Sequence, residues 1–200
     1  MKLVGLTGGI ATGKTTVSSM LRRLGAEIID ADEVAREIVQ PGREAWKEVV
    51  DAFGRGILRD DKTIDREKLR KIVFADEKAR RKLESITHPR IRRLAQEKID
   101  KLTCEGVKIA VYVAPLFFEN RLHEWLRPVI LVACEDAVQR KRLRIRDRLS
   151  ETEIDQHLRA QMPLDEKRRL ADFVVENNGS VEELEERVKE LWEKLLQQSF

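Results

Sequence analysis

Eight residues near the N-terminus, Gly8-Gly9-Ile10-Ala11-Thr12-Gly13-Lys14-Thr15, meet the pattern G-x-x-x-x-G-K-[ST] in full. The chemistry they offer is the holding of a polyphosphate. Glycines let a backbone wrap close around phosphate oxygens with its N–H groups turned inward. A helix opening at the end of such a loop adds the positive end of its dipole. In that arrangement Lys14 reaches the β- and γ-phosphates, the Thr15 hydroxyl can ligate Mg²⁺, and Thr16 follows on the same turn. The plain alternative is a glycine-rich turn with a chance lysine. The setting opposes it, because an apolar strand-like run enters the loop and a helical pattern leaves it. The cradle points to nucleotide binding and by itself leaves kinase, GTPase and motor ATPase open.

Asp30-Ala31-Asp32 ends a second apolar run. In an open parallel sheet, ligands sit beyond the carboxyl ends of the strands, which places both carboxylates where a substrate would lie. Asp32 can accept a proton from an attacking hydroxyl, and Asp30 or Asp32 can help to hold Mg²⁺ through water. An aspartate ahead of a helix is also an ordinary N-cap. Further along, Arg140, Arg142, Arg144, Arg146 and Arg148 crowd one stretch with Lys141. Arg142 and Arg146 are i, i+4 neighbours, so their guanidiniums share a helix face and can grip phosphoryl oxygens. Five arginines cannot all face one nucleotide, so several belong to the surface. No aromatic residue interleaves them, which weighs against a nucleic-acid patch. His88-Pro89 reads as a turn and a helix start, since proline suits the first helical position. Glu119 either caps a helix or meets a substrate.

The elements that must position these residues follow from hydrophobic patterning. Residues 3–7, 26–30, 107–113, 129–134 and 173–175 are near-continuous apolar runs, as strands covered on both faces are. Helical patterns fill the gaps. This βαβ succession predicts an α/β fold of the P-loop type, a five-stranded parallel sheet flanked by helices. Gly25 stands where the cap of the first helix (15–24) belongs. Residues 32–104 hold five helical segments, 34–39, 45–53, 66–74, 78–86 and 90–102, and predict a helical region inserted between the second and third strands. Residues 136–170 predict an arginine-rich helical lid, with a capping box at Ser150-Glu151-Thr152-Glu153. A second box, Ser180-Val181-Glu182-Glu183, opens a terminal helix with one apolar stripe. The core is expected over about 1–31, 105–135 and 171–200.

The chain has 200 residues, enough for one well-buried domain. Its charged fraction of 38% predicts a heavily ionised surface, while 42% apolar residues exclude wholesale disorder. With 39 basic and 36 acidic residues the net charge is +3, too balanced for a dedicated nucleic-acid binder. Cys104 and Cys134 form neither a disulfide framework nor a metal-ligand spacing, which favours a reducing compartment. No apolar run reaches membrane-spanning length. A cytoplasmic protein without a membrane or nucleic-acid partner is expected, as a monomer, with oligomers left open.

Within nucleotide binders, no Asn/Thr-Lys-x-Asp guanine-reading segment occurs, and the third strand runs into Ala114-Pro115-Leu116-Phe117-Phe118 rather than an acidic pair. Small-molecule kinases remain, and they need a lid that excludes water. The residues then match a family in order along nearly the whole chain. The segments 5–10 and 13–16, Ile29-Asp30-Ala31-Asp32, Ile86-Thr87-His88-Pro89, Pro115-Leu116-Phe117-Phe118-Glu119, Arg142 with Arg146-Asp147, and 171–177 resemble dephospho-coenzyme A kinase. The resemblance implies ATP-dependent phosphorylation of the ribose 3′-hydroxyl of dephospho-CoA, with Mg²⁺ and ATP. It implies Asp32 as the base, with Lys14 and Arg142 beside it in catalysis. It implies an ATP site of Gly8, Gly9, Ala11, Thr12, Gly13, Lys14, Thr15, Thr16, Arg142, Arg146, Asn177 and Gly179. It implies a substrate site of Asp32, His88, Pro115, Leu116, Phe118 and Glu119. Three departures stand out. Ala11-Thr12 replaces a usual Gly-Ser, which suits the loop only if that backbone needs no positive φ. Phe117 replaces a usual leucine, a change of packing. His157-Leu158 stands where Arg-Ile is frequent. The alternatives are another P-loop kinase of a nucleoside or small metabolite, and a nucleotide-switched binding module.

Overall fold

The five expected strands form, in a computed structural model that describes residues 1–198. Residues 199 and 200, the end of the expected core segment 171–200, lie outside the described residues. β1 (Lys2–Gly8), α1 (Lys14–Arg23) and β2 (Glu27–Asp30) open the chain, followed by α2 (Ala31–Glu37), α3 (Glu44–Phe53), α4 (Arg66–Ala75) and α5 (Glu77–Cys104). β3 (Ile109–Val113), β4 (Val129–Ala133), α6 (Asp136–Asp147), α7 (Glu151–Arg159), α8 (Leu164–Leu170), β5 (Phe173–Glu176) and α9 (Val181–Gln197) complete it. The sheet order is β2-β3-β1-β4-β5, with β1 in parallel between β3 and β4 and β5 in parallel beside β4. β3 and β4 are buried along their whole length, the signature of strands covered on both faces.

The described residues divide into two compact units, 1–28 with 102–198, and 29–101. The helices at 136–170 cluster with the sheet in the first. Its core joins Val4, Leu6, Ile109, Val111, Ile130 and Val132 of the sheet to Val17 and Leu21 of α1 and to Leu184, Val188 and Leu191 of α9. α1 stops in a Schellman motif, with Gly25 N–H donating to Arg22 O and Ala26 N–H to Leu21 O, both at 3.0 Å. Gly25 takes φ 109° there, as its place in the sequence predicts. The Phe117 departure is explained at Gly5, where a Cβ would lie 2.4 Å from Phe117 Cζ, so the ring uses space that only glycine leaves.

The second unit has its own apolar cluster, with Ile38, Val49, Ile57, Leu69 and Ile86 at its centre. Here the structure corrects the expected break at His88-Pro89. α5 runs unbroken through Pro89. A proline inside a helix removes one N–H and presses on the carbonyl four residues back. Thr87 Oγ1 donates to Leu83 O at 2.9 Å and Arg90 Nη1 to Ile86 O at 2.7 Å, so side chains reinforce the helix on both sides of the gap. Leu83, Ile86, Ile91 and Leu94 all enter the same cluster, and that packing carries the helix across the proline.

The capping box at Ser150 forms as predicted and starts α7, while α6 ends at Arg148 in the left-handed region, φ 55°. Among the described residues no helix is long and apolar enough to cross a membrane.

Candidate active site

The loop between β1 and α1 builds the site. α1 begins at Lys14, directly after Gly13, with no side chain capping its first turn and no acidic residue in it. Every other α-helix among the described residues has a capping side chain or an acidic residue there: Asp30, Asp65, Ser150 and Ser180 cap α2, α4, α7 and α9, and Glu44, Glu77, Asp136 and Asp165 stand at α3, α5, α6 and α8. The first turn of α1 thus carries neither a capping side chain nor a carboxylate of its own that would compete with an anion for the positive end of the helix. Lys14 Nζ lies over the loop, donating to Gly8 O at 2.8 Å and Gly9 O at 2.9 Å. Thr15 and Thr16 are exposed on the same turn.

Gly13 adopts φ 102°, and a Cβ on it would sit 2.2 Å from Asn177 Nδ2. Ala11, where glycine is usual in the family resembled, also takes a positive φ, 57°. The condition attached to that departure therefore fails, and the loop forms around an alanine in a conformation L-residues disfavour. Thr12 is fully buried, with its hydroxyl donating to Gly9 O at 2.9 Å.

Asn177, expected with Gly179 at the nucleotide, has its side-chain amide engaged within the protein. Nδ2 donates to Thr12 O at 2.8 Å, and Oδ1 accepts from Arg142 Nη2 at 3.1 Å. Asn177 braces the loop and aims Arg142. The other terminal nitrogen of Arg142, Nη1, is buried with no hydrogen-bond acceptor among the described residues. Arg142 also lies beside the buried thiol of Cys134; burial pushes that thiol up from its ordinary value, and the guanidinium opposes the push. Gly179 is exposed just ahead of the α9 cap, Ser180.

The remaining arginines separate as the crowding argument predicts. Arg140 is locked by Asp136 and Asp155, each at 2.7 Å, and these hydrogen bonds push its guanidinium above its ordinary value. Arg144 pairs with Glu151. Arg146 forks onto Asp147 at 2.8 and 2.7 Å, which holds the Asp147 carboxyl below its ordinary value.

The segment after β3 distributes its residues between core and surface. Phe118 is 2% exposed, packed edge-on against Phe117 at 5.9 Å, so its ring lies in the core. Leu116 is exposed and Pro115 half-buried, its carbonyl accepting from Thr7 Oγ1 at 3.4 Å. Glu119, expected to cap a helix or to meet a substrate, is engaged within the protein through one carboxylate oxygen. Its Oε1 accepts from Met162 N at 3.0 Å and pairs with the fully buried Lys167 Nζ at 2.8 Å, tying the link between α7 and α8 to the core. Sequence reasoning missed Lys167, because a lysine in an amphipathic helix carries no mark of burial. It also missed Gln139 and Gln161, which contact the loop at Ile10.

Asp30, Asp32 and His88 belong to the second unit. Asp30 is the N-cap of α2, its Oδ1 accepting from Asp32 N at 2.7 Å and Glu33 N at 3.4 Å. That frees Asp32, which is exposed on the first turn. Arg66 is pulled below its ordinary value by burial and by Arg36, while Asp32 opposes, so the Arg66 guanidinium lies in the field of this carboxylate. His88 is exposed on α5.

No cluster of three or more His, Cys, Asp or Glu among the described residues could cage a metal. The donor set still fits Mg²⁺, which keeps most of its waters and takes one or two protein oxygens beside substrate phosphates. The Thr15 hydroxyl is such an oxygen.

A family model described as CoaE, dephospho-CoA kinase, matches residues 2–183. The chain is similar to the dephospho-CoA kinase of Geobacter sulfurreducens, with 49% identity over 97% of this chain and 98% of that one. A crystal structure from Thermus thermophilus superposes with a TM-score of 0.82 at 32% identity, covering 97% of each chain. Dephospho-CoA kinase from Campylobacter jejuni superposes with a TM-score of 0.75 at 31% identity, covering 98% of each. With a P-loop sheet, an uncapped α1 and a match along nearly its whole length, the chain belongs to the dephospho-CoA kinase family.

Proposed function

We propose that the chain transfers the γ-phosphoryl group of ATP to the ribose 3′-hydroxyl of dephospho-CoA, giving CoA and ADP, the last step of CoA synthesis. The observation that carries the reading is the open end of α1, alone among the α-helices of the described residues in having neither a capping side chain nor a first-turn carboxylate. The β- and γ-phosphates take its N–H groups, and Lys14 turns from the carbonyls of Gly8 and Gly9 to the phosphate oxygens. Bound with ATP at the Thr15 hydroxyl, Mg²⁺ supplies charge neutralisation. Arg142, braced by Asn177 with Nη1 unpartnered, faces the transferring group. Arg146 joins it on leaving Asp147. The helical region 32–104 receives dephospho-CoA, with His88 toward the substrate and Arg66 adding positive charge near Asp32.

The 3′-oxygen attacks the γ-phosphorus while the bond to the β–γ bridging oxygen breaks, and ADP leaves with that oxygen. The hydroxyl proton passes to the Asp32 carboxylate, which Asp30 leaves free by taking the cap. Positioning and charge do the rest. On this reading the chain works in the cytoplasm as a monomer.

The test offers dephospho-CoA, adenosine, nucleoside monophosphates and shikimate side by side, with ADP release as readout. Dephospho-CoA should stand alone in driving turnover. Asp32→Asn should bind ATP normally and lose about 10²-fold in kcat. Turnover on another acceptor would make the chain a different P-loop kinase. ATP binding without acceptor-dependent ADP would make it a nucleotide-switched module.

A further inference from the structure

The two glutamines at Ile10 take no part in the phosphate chemistry above, yet each fixes one peptide of the loop. A trans peptide directs its C=O and N–H to opposite sides. Gln139 Nε2, on α6, donates to Ile10 O at 2.7 Å, which fixes the Ile10–Ala11 peptide and turns the Ala11 N–H away from Gln139. Gln161 Oε1 accepts from Ile10 N at 3.0 Å, which fixes the Gly9–Ile10 peptide. That turns the Gly9 carbonyl to the far side, where Thr12 Oγ1 and Lys14 Nζ donate to it at 2.9 Å each. Between the two planes stands Ala11 at φ 57°.

Both glutamines are themselves held. Gln139 is a polar side chain only 3% exposed. Gln161 lies in the link between α7 and α8, and its neighbour Met162 donates to Glu119, which pairs with the buried Lys167. A buried polar side chain such as Gln139 is kept where it has a partner to satisfy, and the half-buried Gln161 bonds the same residue of the phosphate loop.

We propose that Gln139 and Gln161 are positioning residues for the nucleotide: together they hold the peptides around Ile10 so that the Ala11 N–H faces the phosphates, at a residue type that resists the required φ. The inference rests on the ATP reading above. It makes the loop of this chain preorganised by its lid helices, where a glycine at position 11 would reach the same shape unaided.

The full-length protein carries the test through two substitution pairs. Gln161→Met removes the acceptor and Gln161→Glu keeps one; Gln139→Met and Gln139→Leu both remove the donor. In the nucleotide-free protein, amide exchange at Ile10 should accelerate about fivefold or more in Gln161→Met and stay slow in Gln161→Glu. In steady state, Gln139→Met, Gln139→Leu and Gln161→Met should each raise KM for ATP about fivefold, with KM for dephospho-CoA and kcat within about twofold. Gln139→Leu and Gln161→Glu carry the comparison if a methionine variant fails to fold. An unchanged KM for ATP, or KM for both substrates and kcat moving together as a loosened fold would move them, overturns the proposal. Failure of the unsubstituted protein to bind ATP overturns the functional reading and the positioning role with it. Normal ATP binding by the unsubstituted protein with identical binding in the variants overturns the positioning role alone.

Discussion

Ala11 carries a conformational cost that its neighbours offset. An alanine in the left-handed region is disfavoured by about 1–2 kcal/mol, while a glycine there adds about 0.4–1 kcal/mol of unfolded-state entropy to be lost. Ala11→Gly should therefore stabilise the free protein by about 0.5–1 kcal/mol, read from the shift of a urea denaturation midpoint at unchanged slope. A lower midpoint would show that the alanine methyl makes contacts worth more than the strain. The same reasoning separates Ala11 from Gly13, whose Cβ would meet Asn177 Nδ2 and which no larger residue can replace without moving that amide.

Helix ends and strand ends carry the next level of organisation. α8 and β5 are joined by Arg168 and Glu176, with Nη2 to Oε2 at 3.1 Å and a second, shorter contact from Nη1 to Oε1. The hydrogen bonds from Arg168 hold the Glu176 carboxyl below its ordinary value of 4.5. A depressed carboxylate contributes stability that is fully present above its unfolded value and is lost as pH falls through the folded one. Acid unfolding below about pH 4.5 should thus be steeper in the unsubstituted protein than in Glu176→Gln, measured as unfolding free energy against pH. Parallel slopes would remove the pair from the acid response. At this level the sequence was readable where one force dominates. Strands buried on both faces announce themselves as apolar runs, and Ser150 with Glu153 marks a helix start by side-chain chemistry alone. Pro89 misleads because proline's local rule gives way to the cluster formed by Leu83, Ile86, Ile91 and Leu94. Gln139, Gln161 and Lys167 are unreadable in sequence because their partners lie tens of residues away or more, and nothing in a polar residue's type records a long-range bond. Asn177 was placed at the site through resemblance, but its bracing role depends on contacts to Thr12 and Arg142 that only the fold displays.

For the molecule as a whole, the charge-rich composition is mostly solvated surface. Pairs such as Lys71–Glu67, Arg81–Glu77 and Arg93–Glu97 are exposed i, i+4 contacts, each worth well under about 1 kcal/mol. The two apolar clusters hold the fold. Cys134 belongs to that protected interior, directly beyond β4, whereas Cys104 is exposed at the end of α5. The contrast equips the chain with a built-in chemical clock. Iodoacetamide at neutral pH should add one adduct quickly, at Cys104, and a second only as fast as the end of β4 opens, both counted by intact-mass spectrometry. Simultaneous alkylation of the native protein would contradict the burial of Cys134. Because Arg142 borders that sulfur, a nucleotide that engages the guanidinium should slow the second adduct, making an unreactive thiol a reporter of occupancy that needs no enzymatic turnover.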